Sequence, residues 1–124
     1  MKTKLLAAVV LGLSVLSFNI AMAHGDNKPK HGGVVATASD LHFELVGTPT
    51  GALIYIDDHG KPMAPTGMSG KLTVLNGAEK SEATLAVAGD RLEAKGVKLA
   101  PGAKVVAALT TPAKKAITVR FTVK

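Results

Sequence analysis

Apolar and polar side chains alternate with period two along most of the chain beyond residue 33, most cleanly at the carboxyl end. There Ile117, Val119, Phe121 and Val123 share one face while Thr118, Arg120 and Thr122 share the other. Successive side chains of an extended strand point to opposite sides, so this pattern predicts a strand with one buried and one wet face. Leu41, Phe43 and Leu45 alternate in the same way with His42, Glu44 and Val46, which places His42 and Glu44 outward. Further strands are predicted over 34–37, 52–57, 71–75, 83–88, 91–94 and 104–110, separated by the turn-forming pairs Asn76-Gly77, Gly89-Asp90 and Pro101-Gly102. In the connection Asp57-Asp58-His59-Gly60, Gly60 is expected to supply the positive φ of a bulged hairpin loop. No window holds a helical period with caps. About seven to eight short strands linked by hairpin turns predict an all-β fold, an antiparallel immunoglobulin-like β-sandwich over residues 34–124. With neither tryptophan nor cysteine present, an antibody-type domain is excluded.

Two segments precede the alternating region. Lys2 and Lys4, an apolar stretch from Leu5 to Phe18, and Ala21-Met22-Ala23 form the three parts of a secretory signal peptide, residues 1–23. The apolar run is shorter than the roughly 20 residues that a membrane-spanning helix needs. No second run of that length follows, so the mature chain is expected to be periplasmic, with no membrane insertion after cleavage. Residues 24–33 are rich in Gly, Pro, Lys and His and predict a flexible arm, because such a composition offers little apolar surface to bury.

Without cysteine there is neither a disulfide framework nor a thiolate metal site nor a Cys nucleophile. The net charge is +6, of which Lys2 and Lys4 belong to the leader, leaving +4 on the mature chain. The basic residues are scattered and no aromatic side chains interleave with them, so no nucleic-acid face is expected. Neither a nucleophile elbow nor a phosphate-binding glycine loop nor a metalloprotease motif is present. Asp57 and Asp58 are adjacent, so their side chains should diverge rather than flank a substrate. The chain is not expected to be an enzyme.

The histidines carry the remaining chemistry. Of the four, His24, His31 and His42 cluster at the start of the mature chain. Cleavage after Ala23 makes His24 the amino terminus, where amine and imidazole can chelate one metal together. A second imidazole from His31 or His42 then completes a nitrogen set suited to Cu(II). Zn(II) would instead want a tetrahedral set, with Glu44 or Asp40 added. Each residue also has a plainer use: a solvated arm for His24 and His31, a surface position for His42. His59 is explained by its turn, and Met63 and Met68 by gap-filling in a core, although paired thioethers also suit Cu(I).

Three strings occur in order: Lys30-His31-Gly32-Gly33-Val34-Val35, then Asp40-Leu41-His42-Phe43-Glu44-Leu45-Val46, then Ile54-Tyr55-Ile56-Asp57-Asp58-His59-Gly60-Lys61-Pro62. Together they resemble the small β domain near the amino terminus of periplasmic adaptors from heavy-metal efflux systems of the cobalt-zinc-cadmium and copper-silver kind, and their stand-alone relatives. The stretch from Gly96 to Val105 resembles those relatives too. The helical hairpin, lipoyl-like and barrel portions of an adaptor have no counterpart here. The resemblance implies a metal-stress setting, with a metal ion and an efflux-system protein as partners.

Three readings follow. The first is a periplasmic metal-binding or metal-handling module, for copper or alternatively zinc, using His24, His31 and His42. The second is an interaction domain without a metal of its own that docks on an efflux component. The third is a copper oxidase built on an amino-terminal histidine.

Overall fold

The computed structural model describes residues 28–124. The predicted leader, its cleavage point and His24 lie outside the described residues. The described residues form nine strands: β1 (Val34–Ala38), β2 (Leu41–Thr48), β3 (Gly51–Asp58), β4 (Lys61–Met63), β5 (Ser69–Asn76), β6 (Glu79–Ala88), β7 (Arg91–Lys95), β8 (Lys104–Thr110) and β9 (Ala116–Thr122). Every pairing is antiparallel. The described residues contain no helix, and none of them forms a helix long and apolar enough to cross a membrane.

Neighbouring strands run β1-β2-β3-β7-β6-β5-β8-β9, with β4 added at the end of β3. β6 belongs to both halves: Gly70 to Asn76 of β5 pair with Leu85 to Glu79, while Ala86 to Ala88 pair with β7. The chain therefore forms two antiparallel layers, continuous through β6 and facing each other across the core. β1 lies beside β9, so the sandwich is nearly closed like a barrel.

The core follows from the alternation. Phe43 and Leu45 of β2, Ile54 and Ile56 of β3, and Leu92 of β7 meet Leu72, Val74, Val105, Leu109, Val119 and Phe121 from the opposite layer, all at most 4% exposed. Met68 is buried in this cluster and Met63 packs against its edge, so gap-filling accounts for both thioethers.

Two elements differ from the expectation. β6 begins at Glu79 rather than Ala83, because its polar first residues are held by the ladder to β5 rather than by an apolar face. The Asp57–Gly60 connection is a two-residue turn without a bulge: Asp58 pairs directly with Lys61, and His59 and Gly60 both take positive φ, 52° and 89°. That is the mirror-image turn whose twist matches paired strands. A histidine tolerates it here because the Asp58 carboxylate holds its ring, Oδ1 to Nδ1 2.6 Å, while Asp57 Oδ2 accepts the Gly60 N–H at 3.0 Å. Asp57 and Asp58 thus diverge as their adjacency suggests. Ser39 and Asp40 turn β1 into β2 in the same way, at φ 50° and 62°.

Candidate functional site

Because Phe43 and Leu45 enter the core, His42 and Glu44 fall on the outer face of β2, as the alternation predicts. The register sets two rows across that face: Val35, Glu44, Tyr55 and Arg91 in one, Thr37, His42, Asp57 and Pro62 in the other. His42 and Asp57 are therefore direct cross-strand neighbours, with Nδ1 3.7 Å from Oδ2.

Glu44 is outward yet only 6% exposed, and among the described residues it is the one buried charged side chain. The described end of the predicted arm covers it. Oε1 accepts the Lys30 N–H at 3.0 Å, and Oε2 accepts the N–H groups of His31 and Gly33 at 2.8 and 2.9 Å. The His31 ring completes the set, with Nδ1 2.9 Å from Oε1. Burial pushes the Glu44 carboxyl up, but the His31 ring and the N–H groups of Gly33, His31 and Lys30 outweigh it and hold the group below the ordinary carboxylate value. A carboxylate surrounded by donors is a stable way to bury a charge. Residues 30–33 are thus bound to the sheet rather than free, although their composition has no apolar reason to order.

The sequence His31-Gly32-Gly33 makes that wrap possible. Gly32 adopts φ +78°, which other residues reach only with strain, and Gly33 passes so close to β2 that an added Cβ would sit 2.1 Å from the Leu45 carbonyl oxygen. Both glycines serve the backbone path. The His31 ring then lies flat on Tyr55, centroids 3.6 Å apart and planes 5° from parallel. Lys30 Nζ reaches Asp57 Oδ1 and the Gly60 carbonyl, each at 3.3 Å, tying the arm to the β3–β4 hairpin.

The result is a hollow of about 130 Å³ whose lining includes Lys30, His31, His42, Glu44, Tyr55 and Asp57. Two of the three sequence-predicted ligands, His31 and His42, meet there from separate segments. The third, His24, lies outside the described residues. His31 hydrogen-bonds Glu44 through Nδ1, which leaves its Nε2 as the nitrogen for an outside ligand, whereas the 3.7 Å between His42 Nδ1 and Asp57 Oδ2 is too long for a hydrogen bond. A carboxylate hydrogen-bonded behind a histidine, as Glu44 is behind His31, is a common support for a metal ligand. Among the described residues no group of three or more His, Asp or Glu is already gathered for a metal.

Both oxygens of Glu44 are occupied by N–H donors, and Asp40 sits in the β1–β2 turn, where its charge acts on His59. His59 is 81% exposed. Its hydrogen bond to Asp58 and the charge of that carboxylate raise it above the ordinary imidazole value. In an NMR titration His59 should lose its proton at higher pH than a free histidine, and Asp58→Asn should bring it back. An unchanged titration in that variant would contradict the pairing.

Sequence reading undervalued Glu44, Tyr55, Lys30 and Asp57. The available signal was an acidic residue on a strand face opposite a Gly-Gly pair, and the chain's lone tyrosine. Comparison with protein-family models, with curated proteins and with solved structures returns no match, so the likeness to efflux adaptors rests on the sequence strings alone.

Proposed function

We propose that the chain is a periplasmic metal-handling module of a heavy-metal efflux or resistance system, binding copper, or alternatively zinc, through His24, His31 and His42. The observation that supports it best is the convergence of His31 and His42 on one hollow, with the Glu44 carboxylate hydrogen-bonded to His31 Nδ1. His24 precedes His31 by seven residues, a reach of up to roughly 25 Å, so a processed amino terminus can supply its amine and imidazole to the same hollow. A bound copper or zinc ion would be the module's cargo. The roles of the chain's own residues are then to hold it: the three imidazoles bind, Glu44 orients the His31 ring, and Tyr55 keeps the His31 plane fixed. Binding should weaken as pH falls, because imidazoles and the terminal amine must be deprotonated to coordinate.

Titration with Cu(II) and Zn(II) tests this on the chain beginning at His24, beside a chain with one extra residue before it. Tight copper binding that collapses in the extended chain is the expected result. Binding no tighter than that of generic surface histidines in both chains would overturn the proposal. It would favour a docking domain for an efflux component, a reading supported by the backbone roles of Gly32 and Gly33, which account for the His-Gly-Gly string without a metal.

A further inference from the structure

Four N–H donors converge on the two oxygens of Glu44: the backbone groups of Lys30, His31 and Gly33, and the ring of His31. A carboxylate in that setting has only lone pairs to offer, so the proton of the fourth contact belongs to His31 Nδ1. Tyr55 stacks against the ring, and turning it over would put a carbon where Nδ1 meets Oε1. Ring and backbone are held by the same carboxylate.

We propose that Glu44 is a positioning residue: it fixes the neutral His31 ring as the Nδ1–H tautomer, and thereby presents Nε2 as the coordinating nitrogen only while the segment at Lys30, His31 and Gly33 is bound to β2. In a free side chain the ring selects its own tautomer. Here the hydrogen bond to the other nitrogen selects it. The consequence for metal affinity rests on the metal-handling reading above; the tautomer does not. Orienting partners of this kind typically contribute 10- to 100-fold in metal affinity.

The test is side-chain ¹⁵N NMR of the metal-free mature chain at mildly alkaline pH, followed by addition of zinc, which is diamagnetic. His31 should show a protonated Nδ1 and a bare Nε2. Glu44→Ala should return it to the mixture of a free histidine, with the amide signals of β8 and β9 unchanged to show that the fold persists. Tyr55→Leu keeps the carboxylate and should keep the tautomer. A wild-type ring protonated at Nε2 would overturn the proposal, as would a Glu44→Ala ring unchanged from wild type. Zinc affinity should fall by roughly 10- to 100-fold in Glu44→Ala, and equal affinity despite a changed tautomer would also count against it. If zinc binds neither chain while wild-type His31 keeps its proton on Nδ1, the metal reading fails and the positioning role of Glu44 stands.

Discussion

Glu44→Ala is expected to detach residues 30–33 from the sheet and to lower stability by about 1–3 kcal/mol. The magnitude comes from two opposing terms. Hydrogen bonds to a charged group contribute roughly 1.5–3 kcal/mol each, and Glu44 accepts four. Ordering backbone costs roughly 1–2 kcal/mol per residue, and the segment from Lys30 to Gly33 has no aliphatic side chain to bury against the sheet. The clasp therefore exceeds the ordering cost only modestly, and without it only the His31–Tyr55 stack and the exposed Lys30 contacts are left to oppose that cost. Trypsin should then cut after Lys30 at least about tenfold faster than in the wild type, following the population of the open form, while the midpoint of thermal unfolding falls by roughly 5–20 °C. Wild-type cleavage kinetics in the variant would show that the clasp holds nothing. Acid should mimic the substitution. The folded-state value of Glu44 lies below its ordinary 4.5, so its contribution is complete above that value and is lost as pH falls through the lowered one. Release of the segment is expected on the acid side of 4.5, and Glu44→Gln should flatten that dependence.

Gly33→Ala should be costlier than Gly32→Ala, although the two glycines are neighbours. At Gly33 the new methyl would meet the Leu45 carbonyl oxygen at 2.1 Å and Val46 Cγ2 at 2.9 Å. The carbonyl is backbone and cannot swing aside, so the start of β1 must part from β2 and the Gly33 N–H must leave Glu44. Overpacking together with one lost charge-assisted hydrogen bond amounts to roughly 3 kcal/mol, a sizeable share of the 5–15 kcal/mol typical of a domain. At Gly32 nothing lies within 4 Å, and only the strain of φ +78° remains, about 1–2 kcal/mol. Chemical denaturation of both variants checks the order. Equal costs, or a larger one at Gly32, would mean that the close passage against Leu45 is absent in solution.

The strands were readable because the outcome of burial is written in the residue types. Ile117, Val119 and Phe121 repeat every second position, and all three are buried. Where the ladder rather than the core holds a strand, as from Glu79 to Glu82, the alternation is missing and the pattern places the boundary too late. The site was readable only in part. The spacing of the histidines marked His31 and His42, and strand alternation placed His42 outward. Nothing local marks Glu44 as buried, because its cover comes from residues more than ten positions earlier through backbone N–H groups, which every residue possesses. Composition makes residues 24–33 a flexible arm, since it weighs apolar surface and cannot see a carboxylate waiting across the turn. The two glycines were visible, but their separate tasks, one a positive φ and the other a missing Cβ, become distinct only once β2 lies beneath them.

The site depends on one claim above the rest: that residues 30–33 are held on the outer face of β2 by Glu44. Amide hydrogen exchange read residue by residue measures it directly. The amides of Lys30, His31 and Gly33 should be protected at neutral pH, with Gly32 exchanging fast between them, and Glu44→Ala should abolish that protection together. Exchange of all four at the rate of an unstructured peptide in the wild type would contradict the account, and with it the assembly of His31 and His42 into one hollow.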